Sequence, residues 1–328
     1  MAVQRKRSLL VAAVALGQFC CLLLMVTGVT SHVLAEKNVS LPTTQSAMNY
    51  ALLAAVFGVM EVSNGRATAQ HPLWKYALLA FFDVEANFLV VMAYRYTSIT
   101  SVSLSSVFSV PTVMLLSHWV LGSRYRLLHV AGAVSAAVGL IYLVLTDRAR
   151  SGDSSSGSNP LLGDLLVVAG ASMYAGTNVV QEHLLGSAPL AEVMSRLGLM
   201  GTLISVAQAA VVEGSGILQV DWMDPLVAGA MAGYVAALFA YYNVEPFILR
   251  LGGAATLNLS LLAANFWDAG ARISFLGGFS LGSAEDFAIA LLLVALGMVA
   301  YSFAGAVTQS GDGSSCCWKG NAMAGGER

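Results

Sequence analysis

Ser8–Val29 reads SLLVAAVALGQFCCLLLMVTGV, 22 residues without a charge, and Arg5, Lys6 and Arg7 stand just before it. A helix needs about 20 consecutive apolar residues to cross a bilayer. The run outlasts the roughly 7–15 apolar residues of a secretory signal. Val33-Leu34-Ala35 resembles a cleavage site, but the length argues for an uncleaved first span.

Nine more stretches of similar length follow: Thr43–Val62, Leu73–Tyr96, Ser98–Leu121, Arg126–Thr146, Leu161–Leu184, Pro189–Val212, Pro225–Pro246, Leu251–Leu276 and Asp286–Val307. The chain of 328 residues is 57% hydrophobic and 10% charged, with mean hydropathy +0.73. Soluble domains carry about 25% charged residues, so lipid is the expected solvent. The expected fold is an all-α polytopic membrane protein of ten spans. Little chain remains for a globular enzymatic domain. A net charge of −2 without a basic patch gives no sign of nucleic acid. Cys20 and Cys21 fall in the first span, and Cys316 and Cys317 in the C-terminal tail. None has zinc-type spacing. The tail pair suits palmitoylation, although free thiols are the simpler reading.

Lys and Arg collect on the cytoplasmic side of membrane proteins. With the N-terminus inside, Arg5, Lys6, Arg7, Arg66, Lys75, Arg124, Arg126, Arg250, Lys319 and Arg328 fall at inner ends. Arg196 sits in the inner half of span seven, and Lys37, Arg95, Arg148, Arg150 and Arg272 fall outside. Both termini are therefore expected in the cytoplasm. The sequon Asn38-Val39-Ser40 is then outside or lumenal; Asn258-Leu259-Ser260 lies inside span nine.

The Ser- and Gly-rich segment Asp147–Pro160 reads as a flexible linker. It divides the chain into a tail at 1–7, a five-helix unit at 8–146, a second at 161–307 and a disordered tail at 308–328. Five is odd, so the second unit enters the membrane with opposite polarity. Thr100-Ser101-Val102-Ser103-Leu104 in span four echoes Ala255-Thr256-Leu257-Asn258-Leu259 in span nine. Inverted repeats enclosing a midplane site are a transporter architecture. Small residues for close helix packing crowd span five (Ala131, Gly132, Ala133, Ser135, Ala136, Ala137, Gly139) and span eight (Ala228, Gly229, Ala230, Ala232, Gly233).

Polar groups at mid-membrane are costly and mark function or pairing. Span three holds Asp83-Val84-Glu85-Ala86-Asn87. At about 100° per residue, Asp83 and Glu85 point to nearly opposite faces. Asp83, Asn87, Val90 and Tyr94 form one stripe, the favoured pathway face; Glu85, Leu89, Met92 and Tyr96 form the other. Span nine aligns Asn258, Asn265 and Arg272 at intervals of seven, with Asp268 four residues before Arg272. Gln18 lies midway along span one, and span six carries Asn178 and Glu182 on one face. Pathway candidates are therefore Gln18, Asp83, Glu85, Asn87, Tyr94, Asn178, Asn258, Asn265 and Arg272. Helix-to-helix hydrogen bonding is the competing role for each. Glu182 and Glu245 read chiefly as solvated groups at the inner mouth. Tyr94, Tyr96, Tyr241, Tyr242, Trp119 and Trp267 can stack on a flat solute or sit at the interface. No phosphate loop, metal-ligand pair or nucleophile arrangement is evident, so neither enzyme activity nor a cofactor is expected.

Asp83-Val84-Glu85-Ala86-Asn87-Phe88-Leu89-Val90-Val91 resembles the span-three signature of solute carrier family 35, subfamily F, in the drug/metabolite transporter superfamily. Leu16-Gly17-Gln18-Phe19, Thr100-Ser101-Val102, Gly157-Ser158-Asn159-Pro160 with Gly163-Asp164, Asn178 with Glu182, and Asn258-Leu259-Ser260-Leu261-Leu262 extend the likeness over about residues 8–305. The chain looks closest to plant-type members. The resemblance implies two inverted five-helix repeats around a central cavity and transport of small organic solutes. Departures stand at Met92, Arg95, Asn265 and Gln181-Glu182, where the family often has Lys, Gln, an acid and a Glu pair. The expected function is secondary transport by alternating access. The solute would be nucleobase- or nucleoside-like or a cationic amphiphile. A nucleotide-sugar exchanger of the Golgi or endoplasmic reticulum is the alternative, and a non-transporting scaffold or receptor ranks below both. Expected partners are the solute, the bilayer and a second copy in a homodimer. Golgi, endoplasmic reticulum, vacuole and plasma membrane all stay open.

Overall fold

The computed structural model describes residues 2–64, 69–93, 96, 107–151, 159–264, 266–267, 284–304 and 307–309. These form ten helices: α1 (Ala2–Glu36), α2 (Pro42–Ser63), α3 (Leu73–Ala93), α4 (Ser109–Leu121), α5 (Leu127–Ser151), α6 (Pro160–Leu185), α7 (Leu190–Val212), the single turn α8 (Gly214–Ile217), α9 (Pro225–Leu261) and α10 (Ala284–Phe303). The only sheet among the described residues is a two-residue ribbon. In it β1 (Ser123–Arg124) pairs antiparallel with β2 (Thr308–Gln309). Among the described residues, four segments are long and apolar enough by themselves to cross a membrane: Ala12–Glu36, Pro42–Ser63, Leu190–Val212 and Pro225–Leu261. Large apolar side chains such as Leu127, Leu165, Leu203, Val211 and Leu292 stay exposed, as a lipid-facing surface requires.

Helix starts follow from local chemistry. Pro42, Pro160 and Pro225 each open a helix, where the missing N–H costs nothing. Asn159 caps α6 by accepting from the Leu162 N–H at 3.3 Å, and Asp224 caps α9 by accepting from Leu226 at 2.8 Å. The start of α2 is capped from afar. The Glu213 carboxylate accepts the Thr43 and Thr44 N–H groups at 2.7 and 2.9 Å, and the Thr44 hydroxyl at 2.7 Å. At the other end of the same pair of helices, Arg196 of α7 meets Glu61 of α2 at 2.9 Å. α2 and α7 thus lie antiparallel, pinned at both ends. The bundle has a Glu61 end and an Asp224 end.

The main packing pairs are α1 with α9, α2 with α7, α5 with α10 and α3 with α6. Backbones touch where side chains are smallest. A Cβ on Gly132 would stand 2.6 Å from the Gly297 carbonyl oxygen, and one on Gly297 would stand 2.5 Å from that of Gly132. A Cβ on Gly198 would reach the Ala54 nitrogen at 2.4 Å. Gly229, singled out in span eight, faces open space instead.

Several boundaries differ from those expected. α1 is continuous from Ala2, so the N-terminal basic residues extend the helix rather than precede it. α5 runs on to Ser151 instead of ending at Thr146. The stretches expected as spans eight and nine run together in α9. Pro246 is accommodated within the helix, and the break falls at Gly253 (φ 79°, ψ 171°), a conformation essentially reserved for glycine. A proline removes one hydrogen bond from a helix and bends it; a residue in that extended left-handed region ends it.

Candidate functional site

Asp83 lies ten residues from either end of α3 and is 4% exposed. The Tyr50 hydroxyl of α2 donates to its Oδ2 at 2.6 Å, and the Tyr242 hydroxyl of α9 donates to the same oxygen at 2.5 Å. The two rings meet edge-on with centroids 6.0 Å apart, and Tyr241 lies edge-on to Tyr242 at 5.6 Å. One helical turn toward the Asp224 end, Asn87 donates from Nδ2 to the Ser46 hydroxyl at 3.1 Å, and Tyr234 lies against both. One turn toward the Glu61 end, Gln181 of α6 donates from Nε2 to Glu245 of α9 at 3.4 Å. Gln181 is fully buried and Glu245 is 3% exposed. Three polar layers thus stack along the seam of α2, α3, α6 and α9. No Lys or Arg among the described residues is recorded at ion-pair distance from Asp83 or Glu245.

The remaining candidates have other partners. Glu85 accepts from the Gln208 side chain of α7 at 2.6 Å, away from the tyrosines. Gln18 bridges helices: its Oε1 accepts from the Trp267 indole at 3.3 Å, and its Nε2 lies 3.7 Å from the Met298 sulfur. Asn178 is buried on α6, three residues before Gln181. Asn258 is buried and donates to the Ala254 carbonyl of its own helix at 2.9 Å. Tyr94, Asn265 and Arg272 lie outside the described residues.

Glu245 is not a solvated mouth group, and the half-buried Glu182 binds backbone. Because α9 continues through Pro246, Glu245 lies about 12 Å of helix from the break, at 1.5 Å per residue, and is buried. Glu182 accepts the Ala254 N–H at 2.6 Å, which supplies an anion to the helix N-terminus created at Gly253. Sequence reasoning passed over Tyr50 and Gln181 as site residues. Tyr50 gives no signal beyond a hydroxyl within an apolar run, and Gln181 only its departure from the family's Glu pair.

The chain resembles known proteins over most of its length. The family described as solute carrier family 35 (SLC35F) matches residues 5–303. Solute carrier family 35 member F2 of Mus musculus is 36% identical over 260 residues, covering 77% of this chain and 69% of that protein. The Xenopus tropicalis member F2 is 34% identical, covering 78% and 68%. An uncharacterized family 35 member of Schizosaccharomyces pombe is 32% identical, covering 80% of this chain and 52% of its own. A solved crystal structure shares the fold with TM-score 0.69 at 19% identity, over 89% of this chain and 96% of its own.

Proposed function

The chain belongs to solute carrier family 35, and we propose that it is a secondary transporter moving a small organic solute by alternating access. The observation that carries this reading is Asp83, buried midway along its helix and held by Tyr50 and Tyr242. A buried acid at this depth is a functional group by default. Both tyrosines occupy Oδ2, which leaves Oδ1 for a solute or a coupling proton.

We read the fold as ten spans in two inverted repeats, 8–146 and 161–307, with both termini cytoplasmic and the Glu61 end facing the cytosol. Helix pairing supports this. Spans two and seven pack together, as do five and ten. The contact of span three with span six is answered by that of span one with span eight, where Leu34 clusters with Val227, Ala230 and Met231. The contact of span four with span six is answered by that of span one with span nine, where Gly17 abuts Ser260. A twofold axis in the membrane plane generates this exchange. Assignment to the plant-type members rests on the order and spacing of the sequence motifs.

The site favours a neutral or cationic solute, nucleobase- or nucleoside-like or a cationic amphiphile. Tyrosine faces attract flat and positively charged groups, and two carboxyls accept hydrogen bonds. A nucleotide-sugar exchanger needs cations for its phosphates. Asn87, Asn178 and Asn258 join the proposed pathway with Gln18 and Glu85, and Tyr94, Asn265 and Arg272 are proposed for it from the sequence alone.

The test is a thermal-shift panel of nucleotide sugars, nucleosides, bases and organic cations on the purified chain, followed by liposome flux. A ligand at 100 times its Kd adds about 2.7 kcal/mol. A shift with a base or cation, reduced in Asp83→Asn, supports the reading. A shift with nucleotide sugars alone replaces it with the exchanger.

A further inference from the structure

Asn49 of α2 is fully buried, and neither Oδ1 nor Nδ2 has a hydrogen-bond partner among the described residues. An Asn amide offers two donors and an acceptor, and nearly all buried polar side chains are satisfied. Any apolar residue of similar size would fill the same space without the desolvation cost. The amide therefore calls for a partner that the described protein groups of this conformation do not supply.

We infer that Asn49 lines the aqueous pathway in the conformation opposite to the one seen here, where water hydrates its amide. Three features lead there. Asn49 precedes Tyr50, which holds Asp83, so it sits at the depth of the acid. Gln45, one turn toward the Asp224 end, meets Ser31 of α1 at 3.2 Å. Phe57, two turns toward the Glu61 end, lies 6.4 Å from Phe239 of α9, centroid to centroid. Asn49 thus belongs to the strip of α2 that faces α1 and α9. That strip is a seam between the two proposed repeats, α2 from the first and α9 from the second. Relative motion of the repeats opens this central seam beside the buried acid, whereas the α5–α10 pair, where the backbones touch at Gly132, Gly139 and Gly297, stays shut.

The inference rests on the alternating-access reading, and the test separates the two. In nanodiscs open to solvent on both faces, and in a background with the native cysteines replaced by Ala, single Cys residues are placed at 49, 181 and 140. Each is treated with a trimethylammonium methanethiosulfonate, which reacts only with water-exposed thiolates. Leu140 is fully buried on α5, which packs on α10. The expected result is that Asn49→Cys and Gln181→Cys react at least tenfold faster than Leu140→Cys. Reaction at 181 but not at 49 overturns this inference alone. No reaction at either overturns the transport reading with it. Equal reaction at all three reports general breathing and overturns the inference. Asn49→Leu in the Gln181→Cys background supplies a second readout. Removing the orphan amide raises Tm and slows labelling at 181 at least tenfold, because this conformation is favoured. Unchanged or faster labelling there overturns the inference.

Discussion

The Glu182 carboxylate of α6 accepts the backbone N–H of Ala254 at 2.6 Å, one residue after α9 breaks at Gly253. The two parts of α9 are thereby tied to α6 at the point where the chain turns. Hydrogen bonds to charged groups contribute about 1.5–3 kcal/mol, so Glu182→Ala should destabilise by that order, and Glu182→Gln by less. Gly253→Ala should cost about 1–3 kcal/mol through backbone strain, and its Cβ would stand 3.1 Å from Glu182 Oε1. Thermal unfolding in detergent measures both. A neutral Gly253→Ala would mean that the break relaxes freely.

Tyr50→Phe and Tyr242→Phe each remove one donor to Asp83 and should each lower stability by about 1.5–3 kcal/mol. Their effects should fall short of additive when Asp83 is also Asn, because the three groups share one network. Strict additivity in that cycle would show that the hydroxyls act independently of the acid.

If Asp83 carries a coupling proton, solute flux in Asp83→Asn should be flat from mildly acidic to mildly basic pH, while the native protein responds. The amide keeps the shape and removes the titration. A pH response identical to native would place the proton elsewhere, with Glu245 as the next residue to change.

Gly198→Ala should destabilise by about 1–3 kcal/mol, the usual cost of overpacking, because its Cβ meets the Ala54 backbone at 2.4 Å. Gly229→Ala, with nothing within 4 Å, should be neutral or gain up to about 1 kcal/mol in helix propensity. Comparable losses at both sites would argue against the α2–α7 contact.

Lys37 and Asp224 join at 2.9 Å across the Asp224 end. The Lys37 hydrogen bond, reinforced by the Leu226 N–H, holds the Asp224 carboxyl below its ordinary value of 3.8. A depressed folded value contributes stability above the ordinary one and loses it as pH falls through the folded one. Asp224→Asn preserves the helix cap but not the ion pair. Its Tm should lie slightly below native at neutral pH and low salt. The gap should close in high salt and below pH 3.8.

Much of this arrangement could be read along single helices. Asp83 and Asn87 share a stripe because they are one turn apart, and Glu85 turns away because 200° separates it from Asp83. The partners were hidden. Tyr50 is one tyrosine in an apolar run, and nothing local directs it to a carboxyl 33 residues away. Glu245-Pro246 looked like a helix end because proline usually marks one, yet the chain breaks at Gly253. Gln45 and Asn49 share a face one turn apart, but nothing in that spacing tells that Gln45 meets Ser31 while Asn49 meets no polar partner among the described residues.

The sequence by itself determined the solvent, the helical class and the family. Hydropathy over about 20 residues is a local sum, and in lipid a chain without internal hydrogen bonds cannot span. Only the tertiary structure decided which polar groups meet. It brings Tyr50, Asp83 and Tyr242 together from three helices, sets Glu182 on the start of a broken one, and leaves Asn49 without a partner among the described residues. Those contacts are settled by how small residues let backbones approach across the bundle, a relation between distant segments that no single segment contains.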